Sequence, residues 1–494
     1  MLFHSKEFLF LYFPIVVFLF YFLFNKQRKM LIFLIISSLI FYSYFELKYL
    51  FLIIVSISIN YFFIKILLRF NDKKVLILGI LFNLILLGYY KYSNFVIDNL
   101  NFILDKNFRN IEIVLPLAIS FFTFQQMSFL VEVYFKNVKK VNFIRYFSFI
   151  TFFPQLIAGP ILNYKELFPS LRENKFIRLS YKNLTTGFII FILGLFKKVI
   201  IADGFAVYVD QIFESAFAQD DNGSIYYLLG MFFFSFQIYF DFSAYSDMAV
   251  GIAKIFGFNL PLNFNSPYKS KSFIEFWTRW HITLSRFIKT YLYQPLLYFF
   301  LTHQDKIKFF KISNKLILIF LPLIIAFSIS GFWHGAAYGF IIWGFLHGFF
   351  VSLNYLILEK NLKLSFFEKH LFLKTIIVFL AVSLMWIPFR CVSFENTIIF
   401  YKMLFINENF YLVGLNQIIN FKLILLTISS VIIIFVLPNS YEFTNFTKKN
   451  KSIYTLNIQF KPNIKYFLLI ISLLIISIFN LEKLSYEQFI YFQF

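Results

Sequence analysis

A single cysteine, Cys391, stands in the chain, which excludes an intramolecular disulfide framework and leaves no Cys metal cluster; its expected role is small-residue packing. Charge is scarce as well. Asp, Glu, Lys and Arg make up 14% of the residues and hydrophobic types 60%, against roughly 25% and 45–50% in a soluble domain. A water-facing surface cannot absorb that excess. Long Pro/Gly/Ser linkers, a charged tail and evident repeats are also missing, so residues 1–494 read as one domain. No P-loop, no paired metal-binding carboxylates and no Gly-x-Ser-x-Gly elbow occur, which argues against an ATPase, a metal hydrolase or a standard serine hydrolase.

What the chain does have is apolar runs: Phe8 to Phe24, Met30 to Phe45, Phe51 to Leu68, Val75 to Tyr90 and Tyr466 to Phe479 among them. Each approaches the ~20 residues a helix needs to span hydrocarbon. The first lacks a small-residue cleavage site and is followed at once by another run, so it reads as a retained span. Counting such runs predicts an all-α polytopic membrane protein of about eleven to thirteen transmembrane or re-entrant helices.

The net charge of +21 is scattered in short clusters between apolar runs, a topology signal and not a nucleic-acid footprint. Lys26 to Lys29, Arg69 to Lys74, Lys136 to Arg145, Lys306 to Lys315 and Lys448 to Lys451 fall to the cytoplasm by the positive-inside rule. Both termini are then expected outside it. Residues 1 to about 110 read as ordinary spans, about 111 to 390 as a core interrupted by polar residues, and 391–494 as closing spans with an aromatic tail. Within the core, Pro154 to Pro160 reads either as a segment turning back inside the membrane or as an interfacial loop. Residues 163 to 185, with Lys165, Arg172, Lys175, Arg178 and Lys182, suit a helix lying on the cytoplasmic surface.

Ionisable groups within apolar sequence are functional candidates by default. His334 lies in Gly331-Phe332-Trp333-His334-Gly335-Ala336-Ala337 between two apolar runs. A neutral imidazole there suits removal of a hydroxyl proton near neutral pH; equally, it suits a structural histidine bonded between helices. His347 follows in Trp343-Gly344-Phe345-Leu346-His347-Gly348, too far along the same helix to touch His334 directly, and is expected to bond a neighbouring helix. His281 sits among Arg279, Arg286, Lys289 and several hydroxyls, the best anion-handling segment of the chain. Those cations suit the phosphates of a coenzyme or interfacial snorkelling. Asp241 and Asp247 need partners, such as a histidine or Arg279, and also suit an ion relay. The ending Phe489 to Phe494 reads as an aromatic belt, or as a tail presenting the Tyr491 hydroxyl to accept an acyl group. No metal site is expected.

Trp277 to Ser285, Gly331 to Ala337 and Trp343 to Gly348 resemble the signature segments of membrane-bound O-acyltransferases, in the branch of the alginate and peptidoglycan O-acetyltransferase membrane proteins. Phe153 to Ile161 and Phe240 to Pro267 follow the same order, so the likeness covers about 111 to 350 specifically. It implies a ring of tilted helices around a central funnel, with His334 catalytic and His281 a second important histidine. It also implies acetyl-CoA as donor substrate with no resident cofactor, and a cell-surface polysaccharide as acceptor. A periplasmic hydrolase-like O-acetyltransferase of the SGNH class is the implied partner, and the bacterial inner membrane the location. The ending is similar to the C-terminal motif of the small membrane partner in teichoic-acid D-alanylation, where a tyrosine is proposed to relay the acyl group, here Tyr491. D-alanyl export and secondary transport are the competing readings.

Overall fold

The computed structural model describes residues 1–22, 27–171, 179–303, 314–359, 370–406, 414–446, 455–481 and 489–490. Among the described residues the fold is all-α, without a strand. Six helices there are long and apolar enough to cross a membrane: Lys48–Phe70, Lys73–Leu104, Tyr181–Phe217, Ser224–Ile255, Tyr338–Leu358 and Leu371–Cys391. Glu7–Phe22, Phe320–His334, Phe421–Phe435 and Ile464–Asn480 are shorter apolar helices.

Two compact units form. The first comprises Met1–Leu195 and Tyr245–Leu262. Its Leu47–Phe70 and Lys73–Leu87 helices are joined by a buried pair of amides: Asn60 donates to Asn83 at 3.2 Å and Asn83 donates back at 2.8 Å. Away from water such a reciprocal pair satisfies both side chains and fixes the helix register. The interrupted segment Pro154 to Pro160 is wholly buried, and the Phe153 amide just before it donates to the Ser38 hydroxyl at 3.1 Å. The segment's first residues belong to the single helical turn Phe153–Leu156, and non-helical backbone such as the remainder survives in apolar surroundings when protein encloses it.

The expected surface helix over 163–185 does not form as one element. A single turn, Tyr164–Leu167, capped by Asn163, is followed by a tight turn, Phe168–Leu171, and the next helix starts at Tyr181. Arg145 is the reason: its guanidinium donates to the carbonyls of Phe168 and Leu171 at 2.9 and 3.0 Å and lies over the Phe168 ring. Those carbonyls are held by a side chain. Lys165 is exposed; Arg172, Lys175 and Arg178 lie outside the described residues.

The second unit comprises Phe196–Ala244 and Asn263–Phe494. Its centre is a helical hairpin, Asn314–His334 followed by Tyr338–Glu359. His334 and His347 therefore stand on two helices, not along one as the apolar pattern suggested. Glycine sets the spacing of the pair. A Cβ on Gly331 would stand 2.1 Å from the Phe340 carbonyl oxygen, and one on Gly344 would stand 2.2 Å from that of Phe327. Only a residue without a side chain lets the two backbones approach this closely. The far end of the hairpin is tied to the Leu371–Cys391 helix, where the Gly339 amide donates to the Val392 carbonyl at 2.7 Å.

This spacing makes an expected outcome simple. Gly344→Ala should destabilise the protein by about 1–3 kcal/mol through overpacking, whereas Gly88→Ala, where a Cβ meets nothing within 4 Å, should be neutral or stabilising in its helix. Thermal unfolding of the two purified variants checks this; equal midpoints would refute the close crossing.

Candidate active site

The site is built in the second unit from a break in helix. Phe273–Arg279 begins at Ser272, whose hydroxyl accepts the Glu275 amide, and stops at Trp280. The next helix, Ile282–Ile288, starts directly after His281, whose backbone takes the left-handed conformation (φ 40°, ψ 52°). A non-glycine residue in that region costs about 1–2 kcal/mol, and the neighbouring chain holds it there. The Asn265 amide donates to the Arg279 carbonyl and the Ile282 amide to the Asn263 carbonyl, both at 2.9 Å. The turn aims a fully buried imidazole inward.

Asn263 also decides which nitrogen of His281 carries the proton. Its Oδ1 accepts the Thr283 hydroxyl at 2.8 Å and, at 3.4 Å, the Thr283 amide, which can only donate. The atom facing His281 Nδ1 at 3.0 Å is thus an acceptor. Nδ1 carries the hydrogen, and Nε2 carries the lone pair. That Nε2 is buried and has no hydrogen-bond partner among the described residues. His281 lies outside the candidate spans, and burial pulls its pKa down to about 3, so the ring is neutral near pH 7. A neutral imidazole with a bare Nε2 is a base or a hydrogen-bond acceptor, never a donor, at that atom.

His334 ends the first arm of the hairpin, and its ring centroid is 6.5 Å from that of His281. The two rings are close enough to touch one small reacting group. Aromatic edges and faces fix the His334 ring: Trp333 at 5.0 Å, Trp343 at 5.1 Å and Phe389 at 5.5 Å. Trp343 separates it from His347, lying 5.1 Å from each ring. His347 is committed elsewhere. The Trp277 indole N–H, which can only donate, reaches its Nδ1 at 3.2 Å, so this histidine bonds the neighbouring Phe273–Arg279 helix as expected. Its role is to hold the wall behind Trp343.

The cationic residues divide. Arg279 is engaged by its own helix, with Nε 3.0 Å and Nη2 2.9 Å from Glu275 Oε1, and Nη1 donates to the Asn265 carbonyl at 3.1 Å. Arg286 and Lys289 are exposed. Of the partners open to Asp241 in sequence, a histidine or Arg279, the structure uses neither among the described residues: Asp241 and Asp203 share Lys198, at 2.7 and 2.8 Å. Arg279 lost that role because Glu275 stands one helical turn before it on the same face. Tyr491 lies outside the described residues.

Residues 111–395 match the membrane-bound O-acyltransferase family. The chain belongs to that family. Peptidoglycan O-acetyltransferase of Helicobacter pylori is 38% identical over 438 residues, spanning 81% of this chain and 78% of the relative. Probable alginate O-acetylase of Pseudomonas aeruginosa is 34% identical over 431 residues, spanning 84% and 77%, and that of Pseudomonas putida is 32% identical over 513 residues, spanning the whole of both. The chain is thus an O-acyltransferase, and its apolar helices are those of a multi-pass membrane protein. The structure brings the two sequence-expected histidines, His281 and His334, together; sequence reasoning did not single out Asn263 or Lys198, and it placed Trp343 in a signature segment without its contact to His334. Asn263 stood inside the signature stretch 240–267, yet nothing in its neighbours marks it as the partner of His281.

Because His281 is neutral in the fold, the unfolded chain takes up a proton between pH 6.5 and about 3 that the folded chain does not. Its contribution is intact above pH 6.5 and is lost progressively as pH falls towards 3. The thermal midpoint should therefore drop on acidification below that range, and less steeply in His281→Gln. Identical slopes would show that the ring is not held neutral.

Proposed function

We propose that this O-acyltransferase takes an acetyl group from cytoplasmic acetyl-CoA and passes it across the bacterial inner membrane for O-acetylation of a cell-surface polysaccharide, peptidoglycan or an alginate-like glycan. The observation that carries the reading is the pair of buried imidazoles, His281 with a bare Nε2 beside His334, 6.5 Å apart. The names of the relatives, an O-acetyltransferase of peptidoglycan and O-acetylases of alginate, support the acetyl group and the glycan class.

In this reading an accepting hydroxyl meets the thioester carbonyl beside His334. The hydroxyl oxygen attacks the carbonyl carbon, its proton moves to the His334 ring, and the C–S bond breaks as the C–O bond forms. The thiolate then takes that proton and leaves as the free thiol. His281 Nε2 can only accept, so it positions an N–H of the donor's pantetheine arm or the attacking hydroxyl and does not polarise the carbonyl. Arg286 and Lys289, exposed and basic, suit the coenzyme phosphates; Arg279, tied to Glu275, suits them less. The first acceptor is the Tyr491 hydroxyl, which carries the acetyl group as an ester to a separate periplasmic transferase of the SGNH hydrolase-like class. The single domain then has both termini outside the cytoplasm, where such a partner can reach the tail.

Membranes carrying the protein, incubated with radiolabelled acetyl-CoA, should show label on the chain or on a co-expressed acceptor. His334→Ala should lower that labelling about 10²–10⁴-fold, the range for a lost general base, with membrane insertion unchanged; normal labelling would remove His334 from the chemistry. Tyr491→Phe deletes only the hydroxyl, and transfer at the wild-type rate in that variant would rule out an acyl-tyrosine.

A further inference from the structure

One group of buried charges takes no part in the acyl-transfer steps above. Lys198 sits in a wide turn of helix, Lys197–Ala202, and its ammonium lies 2.8 Å from Asp203 and 2.7 Å from Asp241. All three side chains are at most 4% exposed. One cation between two carboxylates leaves acceptor capacity over, and in an apolar surrounding each unfilled lone pair is costly.

The second oxygen of Asp241 is filled from far along the chain. The Ile490 backbone N–H donates to Asp241 Oδ2 at 2.8 Å, 249 residues later in sequence and wholly buried. Phe489 and Ile490 are themselves 1% and 4% exposed. The Phe489 ring packs on Phe242 at 5.8 Å, and Phe242 meets His281 edge-on at 4.6 Å. The segment is thus seated one aromatic ring away from the histidine pair. A carboxylate that reads a backbone amide fixes the register of a segment irrespective of its side chains, and a charge-assisted bond of this kind is among the stronger ones available.

We propose that Asp241, held in place by Lys198 and Asp203, is the docking anchor for the Phe489–Ile490 segment, and that acyl transfer through the tail depends on this anchoring. Asp241 is a positioning residue. The inference rests on the reading that Tyr491 carries the acyl group, and it adds the site that holds its carrier segment.

Two measurements on the full chain in detergent test it separately from that reading. Hydrogen exchange followed on a peptide containing Phe489 and Ile490 should be slow in the wild type and fast in Asp241→Ala, with Asp241→Asn, which keeps an acceptor, in between. An amide at 490 that exchanges in the wild type as fast as an exposed one overturns the anchor. The second measurement compares Ile490→Pro with Ile490→Ala. Neither keeps the isoleucine side chain, but only proline lacks the N–H. Acetyl labelling should be about tenfold lower in the proline variant than in the alanine variant, the effect of one hydrogen bond to a charged group. Equal labelling of the two overturns the proposal even if the segment exchanges slowly. If acetyl-CoA labels not even the wild type, the acyl-donor reading falls, and the exchange experiment alone decides the docking.

Discussion

The site depends on the clamp that Asn263 places on His281. A buried imidazole with its Nδ1–H unmatched would lose the worth of a hydrogen bond and could adopt either tautomer. With Asn263 Oδ1 also taking the Thr283 hydroxyl, the acceptor cannot turn away without orphaning a second donor. The Asn263 carbonyl holds the Ile282 amide in the same stretch. One residue therefore fixes the left-handed turn, the ring plane and the location of the lone pair. Remove that clamp and the 6.5 Å spacing to His334 loses its chemical meaning, because the bare nitrogen would no longer be specified.

The second constraint is steric. His334 ends one arm of the hairpin, and its ring is placed by Trp343 on the other arm. That contact needs the two backbones to touch near Gly331 and Gly344, where any side chain would collide with a carbonyl. Trp343 in turn stacks on Trp386 at 5.6 Å, whose indole donates to the Tyr268 hydroxyl at 3.2 Å. The glycines and the tryptophans of the signature segments thus perform one task between them: the former bring the helices together and the latter fill the space that closeness leaves.

Much of this was legible in sequence because apolar length and embedded histidines are local signals. The polytopic all-α fold, the family and the special standing of residues 277–285 and 331–337 follow from runs and motifs that a linear reading sees. Partnership is not local. That His347 bonds a neighbouring helix was expected, but its partner, the Trp277 indole 70 residues earlier, is not marked by anything around His347. For Asp241 the sequence offers a histidine or Arg279 as partner, whereas Glu275 holds that guanidinium. Lys198 gave no signal, since a lysine at the end of an apolar run reads as an interfacial residue. The surface helix failed for the same reason: amphipathic composition was visible, but the Arg145 side chain that captures the carbonyls of Phe168 and Leu171 was not.

The buried ion group shows why the unlegible part matters for function. Replacing a buried ammonium and two carboxylates by apolar residues of similar volume is often neutral or stabilising, so packing alone gives little reason to keep them. A charge held where water is absent does offer something a hydrophobic side chain cannot: a directional acceptor strong enough to hold a backbone amide. Lys198 bridges one oxygen of Asp241 and one of Asp203 and so holds both carboxyl groups in place. The second oxygen of Asp241 is aimed at Ile490. The cost of burying three charges is then offset by a use that only a charge can serve, which is to hold a segment by its main chain while the Phe489 ring packs on Phe242.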